Sequence, residues 1–149
     1  DYADMLEVPF KMTSFQSISK ESMDRFFFES SAITPYVEFD KGTGVFIMQG
    51  RSLPEDVKSY YLPMIQWWDS YIKNPNKSTN LVLDFDYFNT ASSKMLLILL
   101  NKLKELHKNG NEVLITWKYP QLDAELEEAG EEFAELLNVP FDMIAKPVD

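Results

Sequence analysis

The sequence predicts an α/β protein with a mixed sheet, in the element order β-β-α-β-α-β-α-β. Two apolar runs, Tyr36–Asp40 and Gly44–Gln49, flank a glycine-containing loop and predict an opening β-hairpin. After this hairpin, segments with the period of a helix alternate with segments with the period of a strand. Because strands separated by helices are typical of right-handed crossovers, the rest of the sheet is predicted to be largely parallel.

The first helix is predicted from about Leu53 to Ile72. Ser52 and Glu55 have the spacing of a capping box, in which Ser52 is the N-cap. Pro63 lies inside the predicted helix and is expected to kink it, because proline has no backbone N–H to donate.

Five further elements are predicted after residue 80. A strand is predicted at Leu81–Tyr87, a helix at about Thr90–Lys108 and a strand at Glu112–Trp117. An acidic helix at about Leu122–Leu137 and a strand at Phe141–Ala145 follow. The residues of the second helix that are predicted to enter the core are Leu96, Leu99, Leu100, Leu103 and Leu106.

The chain is long enough for one domain with a substantial core and too short for two ordinary ones. Regular patterning begins near Pro35, so residues 1–32 are predicted to be an N-terminal extension and residues 33–149 a single α/β domain. A short helix around Lys20–Phe28 is expected within the extension. Its cluster of phenylalanines suggests that it docks on its own domain or on another protein.

The chain is acidic, with 24 acidic residues against 14 basic ones and a formal net charge of -10. Such a protein repels nucleic acid and anionic membranes, and basic protein surfaces are its favoured partners. The absence of cysteine and the single histidine exclude disulfides, thiolate zinc sites and histidine-rich metal sites. The longest apolar run, Met95–Leu100, is far shorter than the roughly 20 residues that span a bilayer. No signal peptide is recognisable, so the expected location is the cytoplasm.

The most polar junction between a predicted strand and a predicted helix covers residues 84–94. The unpaired N–H groups at the start of a helix favour an anion, so Thr90 is predicted to accept a phosphate. Asn, Thr and Ser are also ordinary N-cap residues, and a capping role stays open beside the regulatory one. The side chains predicted to surround this phosphorylation site are Asp84, Asp86, Tyr87, Asn89, Ser92, Ser93 and Lys94.

Alternation along the strand Leu81–Tyr87 places Asp84 and Asp86 on one face and Tyr87 on the opposite face, together with Leu83 and Phe85. The two carboxylates could hold Mg²⁺ or act as an acid–base pair. They could equally form a solvated or partner-facing acidic edge.

Two surfaces are predicted to bind partner proteins. Trp67 lies off the main apolar stripe of the first helix. With Tyr60 and Tyr71 it is either an exposed anchor or buried against the N-terminal extension. The acidic helix is either a solvated face or a docking surface for a basic partner. Its predicted contact residues are Glu128, Glu131 and Glu132.

Four stretches of the chain match motifs of a known family in the same order. Arg51–Glu55 stands at a Ser-aromatic-Pro-Glu helix start, with leucine for the aromatic residue, and Tyr87–Lys94 matches Tyr-x-Asn-Thr-Ser-Ser-x-Lys. Ile115–Tyr119 resembles a strand that ends in Trp-x-Tyr, and Gly130–Phe133 matches an acidic helix. By these motifs residues 34–144 resemble the SiaC family of bacterial regulatory phosphoproteins, which is related in fold to STAS domains and anti-sigma-factor antagonists. The resemblance implies a STAS-like sheet.

The resemblance also implies a switch. Thr90 would be phosphorylated by a dedicated protein kinase and dephosphorylated by a metal-dependent protein phosphatase. The unmodified form would bind and activate a diguanylate cyclase or a similar signalling protein, and Tyr119 would lie in the partner surface. Ala91 replaces the family's usual serine without removing the acceptor, whereas Pro120 stands where an acidic residue is common.

Two other functions stay open from the residues themselves. An anti-sigma-factor antagonist would bind an anti-sigma kinase, although Asn89-Thr90 differs from the usual Asp-Ser. A magnesium-dependent enzyme would use Asp84 and Asp86, although the chain has no glycine-rich phosphate loop. The leading expectation is a binding protein that is not an enzyme, without catalytic residues, cofactor or metal.

Overall fold

A computed structural model describes residues 24–148 of the chain. They form one six-stranded sheet in the spatial order β1-β2-β3-β4-β5-β6. The strands are β1 (Arg25–Phe28), β2 (Tyr36–Asp40), β3 (Val45–Ser52), β4 (Ser78–Phe88), β5 (Glu112–Pro120) and β6 (Phe141–Lys146). The helices are α1 (Val57–Tyr71), α2 (Thr90–Lys108) and α3 (Ala124–Leu137).

The sheet is mixed, as the sequence predicts. β1, β2 and β3 pair antiparallel, and β3 to β6 pair parallel. Each helical crossover moves one strand further in the same direction, so right-handed connections place all three helices on one face of the sheet. In agreement, α2 packs against both α1 and α3, and one continuous core fills the space between helices and sheet. Within residues 24–148, no helix has both the length and the apolar character that a membrane crossing requires.

The helix α2 matches its predicted bounds at both ends. Its predicted core leucines are fully buried, and Gly110 follows its end with a φ of 94°, a backbone conformation that favours glycine. The predicted leucine face of α2 is therefore confirmed.

The start of α1 differs from the prediction. The helix begins at Val57, and its N-cap is Asp56, whose carboxylate accepts a hydrogen bond from the Ser59 N–H at 3.2 Å. Ser52 is instead the last residue of β3, where it pairs with Phe88 of β4. The predicted capping box is wrong because strand pairing extends β3 through the serine. α1 runs through Pro63 without interruption, and the predicted kink stays a prediction.

β1 corrects the expected helix around Lys20–Phe28. Residues 25–28 form an edge strand that adds one strand to the predicted order. The alternation of side chains explains why these residues form a strand and not a helix. Phe26 stacks on Phe39 in the core, while Phe27 contacts Tyr36 on the other face. The remainder of that helix, and the rest of residues 1–23, lies outside the described residues. The domain boundary between residues 32 and 33 stays a prediction, although residues 25–28 share the sheet.

Candidate functional site

The candidate site lies where the parallel strands end and the chain turns back into helices. β4 ends at Phe88, Asn89 follows in an extended conformation, and Thr90 is the first residue of α2. Thr90 is exposed. Its position at the carboxyl edge of a parallel sheet is where ligands and partners of such folds commonly bind.

The first turn of α2 is held by its own side chains. The Asn89 Oδ1 atom accepts a hydrogen bond from the Ser92 N–H at 2.8 Å, which makes Asn89 the N-cap. The Ser93 hydroxyl donates to the Thr90 carbonyl at 2.7 Å. The capping role that the sequence left open is thus carried by Asn89.

A buried cluster of three hydroxyls, Ser52, Tyr61 and Ser92, lies beneath this turn. The Ser52 Oγ atom lies 2.7 Å from the Tyr61 hydroxyl and donates to the Ser92 Oγ at 2.9 Å. The Ser92 hydroxyl in turn donates to the Ser52 carbonyl at 2.9 Å, and the same carbonyl accepts from the Asn89 N–H at 3.1 Å. The cluster therefore ties α2 to the end of β3 and to α1.

Burial governs the chemistry of this cluster. Ser52 and Ser92 are fully buried, so Ser92 is closed to a modifying enzyme. Burial raises the pKa of Tyr61 to about 12, so its phenol stays protonated at neutral pH and can donate to Ser52. Sequence reasoning missed Tyr61 and misassigned Ser52 to a helix cap, since nothing local links these residues to Ser92.

A β-bulge shapes the end of β4. Gly50 pairs with Phe85 and Arg51 pairs with Tyr87, so Asp86 has no partner residue in β3. The extra residue reverses the alternation, and Tyr87 is 45% exposed. The prediction that Tyr87 shares the face of Leu83 and Phe85, which are buried, is therefore wrong. The Arg51 guanidinium instead lies over the Tyr87 ring, 5.5 Å from its centroid.

The two aspartates that were predicted to surround the phosphorylation site have different environments. Asp84 is largely buried and its Oδ1 atom contacts the Lys146 Nζ at 2.6 Å, whereas Asp86 is exposed. Lys146 therefore forms an ion pair with a carboxylate that a magnesium site would need as a ligand. Within residues 24–148 no group of three His, Cys, Asp or Glu residues could hold a metal ion. Lys94 is exposed on the first turns of α2.

The aromatic residues predicted as a partner anchor are mostly engaged within the fold. Trp67 is half-buried and stacks on Tyr71, with ring centroids 5.2 Å apart. Tyr71 is buried, with its hydroxyl 2.7 Å from that of Thr79, so of the two alternatives left open the exposed anchor does not apply to this residue. Tyr60 stacks on Phe28 of β1, which supports burial against the N-terminal segment. A partner role for Trp67 stays a prediction.

The other predicted partner residues lie on β5 and α3. Tyr119 is 8% exposed and donates to the Glu127 Oε2 at 3.1 Å. Desolvation, followed by the bond to Glu127, raises the pKa of Tyr119. Glu128, Glu131 and Glu132 are exposed on α3. The three glutamates are therefore available for contact with a partner, whereas Tyr119 offers little surface. The partner roles of all four residues stay predictions.

The chain is similar to a known protein family and to a relative from Pseudomonas aeruginosa. The family model described as SiaC family regulatory phosphoprotein matches residues 28–146. An uncharacterized protein of Pseudomonas aeruginosa (strain UCBPP-PA14) is 32% identical over 108 residues, which cover 72% of this chain and 86% of that protein.

Two solved structures from Pseudomonas aeruginosa are similar to this fold. Apo-SiaC matches with a TM-score of 0.75 and 29% identity, over 81% of this chain and 98% of that chain. SiaC in complex with the diguanylate cyclase SiaD, of which SiaC is the activator, matches with a TM-score of 0.76 and 29% identity, over 81% of this chain and 99% of that chain.

Proposed function

The chain belongs to the SiaC family of regulatory phosphoproteins, and on that premise we propose that its unmodified form binds and activates a diguanylate cyclase, and that phosphorylation of Thr90 ends this binding. The observation that carries the proposal is the exposed Thr90 side chain at the first position of a capped helix. The activator role of SiaC toward SiaD in Pseudomonas aeruginosa supports the choice of partner.

Thr90 is the most exposed of the three hydroxyl residues in this turn. Ser92 is fully buried in the hydroxyl cluster, and Ser93 donates to the backbone of Thr90. A phosphate on Thr90 would carry about -1.5 to -2 charges beside the free N–H groups of α2. The helix end would stabilise that charge by about 0.3–1 kcal/mol.

Loss of binding follows from desolvation. A partner that covers the first turn of α2 must remove water from Thr90, which costs little for a neutral hydroxyl that finds a new hydrogen bond. Removing water from a phosphate costs several kcal/mol unless cations pair with it. Since each 1.4 kcal/mol is about tenfold in affinity, one modification is enough to abolish binding without unfolding the protein.

The proposal includes two modifying enzymes, a protein kinase and a metal-dependent protein phosphatase, both acting in the cytoplasm with this chain. The chain itself acts by binding and does not catalyse a reaction. The pairing of Asp84 with Lys146 supports this part, because it removes the carboxylate that a magnesium-dependent mechanism would require.

The test measures binding to purified SiaD of Pseudomonas aeruginosa by isothermal titration calorimetry and cyclase activity in the same samples. Thr90→Asp should weaken binding at least about a hundredfold and abolish activation, while Thr90→Ala, which adds no charge, should retain both. Thr43→Asp is the matched control, because Thr43 is exposed in the loop before β3, at the opposite end of that strand from Ser52.

All variants should have the same melting temperature, since both threonines are exposed. Equal binding by Thr90→Asp and the unmodified chain would refute the switch. Binding to an anti-sigma kinase in place of the cyclase would favour the anti-sigma-factor antagonist.

A further inference from the structure

Leu122 lies in the turn between β5 and α3 and is 82% exposed. The turn is closed by a hydrogen bond from the Asp123 N–H to the Pro120 carbonyl at 2.8 Å. This bond uses only backbone atoms, so the turn does not need a leucine, and polar residues are the usual choice there. A single exposed leucine is ordinary by itself, and its surroundings decide what it means.

The turn lies at the same edge of the sheet as Thr90. β4 and β5 are parallel neighbours whose last paired residues are Asp84 and Lys118, and Thr90 and Leu122 follow the carboxyl ends of these two strands. Neighbouring strands are about 4.8 Å apart, so the start of α2 and the turn are neighbours on the same edge of the sheet. Thr90 therefore has an exposed tyrosine, Tyr87, three residues before it and an exposed leucine in the next loop.

A shallow hollow of about 510 Å³ lies beside this leucine. Its lining residues are Pro120, Leu122, Asp123, Ala124 and Glu125, and we refer to it as the Leu122 hollow. Its walls combine apolar side chains with two carboxylates. Lys146 pairs with the lining residue Pro120, but its Nζ atom is bound to the Asp84 carboxylate. Asp123 and Glu125 are therefore the charged residues of the lining. An apolar side chain with a basic neighbour complements such a surface, whereas an acidic segment would be repelled.

We infer that the signalling partner docks on this edge of the sheet, with one of its apolar side chains in the Leu122 hollow and an adjacent Lys or Arg facing Glu125. The inference rests on the proposed function, because it identifies the partner as the protein that Thr90 controls. It adds a contact residue, Leu122, that no motif of the sequence indicated, and it defines the chemistry of the partner's docking segment.

The position of the hollow explains why a phosphate on Thr90 acts so strongly. Apolar contacts made by Tyr87 and Leu122 would exclude water from the turn between them. A phosphate placed there loses its hydration, while the partner's basic residue is directed to Glu125.

The experiment measures the affinity of purified SiaD of Pseudomonas aeruginosa for the full chain and three variants. Leu122→Ser should weaken binding at least tenfold. The matched control is Leu136→Ser, since Leu136 is also highly exposed, at 63%, but lies at the far end of α3. The control should change affinity less than twofold, and circular dichroism should show the same fold and melting temperature for both variants.

The third variant tests the charge of the docking segment. Glu125→Gln should weaken binding severalfold at low salt and reduce the dependence of affinity on salt, because it removes an attraction to a basic side chain. Tighter binding by this variant would mean that the facing residue is acidic, and would overturn the assigned chemistry.

The outcomes separate the two proposals. Unchanged affinity of Leu122→Ser, together with loss of binding by Thr90→Asp, overturns the docking inference and leaves the proposed function intact. Absence of binding between SiaD and the unmodified chain overturns the cyclase partner and with it the inference that depends on it.

Discussion

The hydroxyl cluster of Ser52, Tyr61 and Ser92 makes the stability of the protein sensitive to one oxygen atom. Ser92→Ala removes the acceptor of the Ser52 hydroxyl and one of the two donors to the Ser52 carbonyl. The carbonyl keeps the Asn89 N–H. The Ser52 and Tyr61 hydroxyls remain bonded to each other, but only one of them can donate in that bond, so the other is left with a buried, unsatisfied proton. A stranded buried donor costs about 1–3 kcal/mol and a lost hydrogen bond about 1 kcal/mol. The free energy of unfolding should therefore fall by about 2–4 kcal/mol.

Urea unfolding followed by tryptophan fluorescence measures this change as a lower midpoint with an unchanged slope. The matched control is Ser93→Ala on the next residue, whose hydroxyl bond to the Thr90 carbonyl is near the surface, and its effect should stay within about 0.5 kcal/mol. Ser52→Ala alone leaves the Tyr61 hydroxyl without its Ser52 partner. The double variant with Ser92→Ala also leaves only this one donor unsatisfied, so it should lose less than the sum of the single losses. A Ser92→Ala protein within about 0.5 kcal/mol of the unmodified chain, or strictly additive losses, would refute the cluster as described.

Two further predictions concern stability. In Gly130→Ala the new Cβ would lie 2.5 Å from the Trp117 Cδ1, and the buried indole is fixed by its bond to the Leu126 carbonyl. Overpacking should lower stability by about 1–3 kcal/mol despite the better helix propensity of alanine, and a thermal melt no lower than that of the exposed-site control Glu132→Ala would contradict this. Because burial raises the pKa of Tyr61 to about 12, its contribution to stability is complete below pH 10 and is lost as the pH rises through about 12. Urea midpoints of the unmodified chain should fall over this range more steeply than those of Tyr61→Phe, and parallel curves would exclude the effect.

Much of the fold can be predicted from the sequence because its signals are local. α2 carries its own start and stop residues, Asn89 and Gly110, and its leucines recur with helical spacing. Alternation of strand and helix predicts the parallel part of the sheet without knowledge of any contact.

The errors arise where distant residues decide the local structure. The spacing of Ser52 and Glu55 suits a capping box, but pairing with β4 keeps Ser52 in the strand. The phenylalanines of β1 are divided between the core face and the opposite face of the sheet only when β1 pairs with β2. Tyr87 is exposed because β4 has a bulge just before it, where the register of its pairing with β3 shifts between Gly50 and Arg51.

The candidate site divides in the same way. The helix start and the accessible threonine can be predicted, because N-cap residues and helix periodicity identify the first turn. The hydroxyl cluster cannot be predicted, because Ser52 and Ser92 are separated by 40 residues and meet only once the sheet has formed. The exposure of Leu122 is also a property of the folded turn, since the residue type alone suggests burial.

The way Asn89 holds the first turn of α2 has a consequence for how an enzyme can recognise Thr90. The Asn89 carbonyl accepts from the Ser93 N–H at 3.0 Å and its side chain accepts from the Ser92 N–H, so Thr90 is presented on a wound backbone. An enzyme that reads its substrate as a straight peptide would first have to unwind this turn and pull Ser92 out of the interior. Selectivity for this threonine would then come from the three-dimensional outline of the folded protein, and a short synthetic copy of residues 84–94 would not reproduce it.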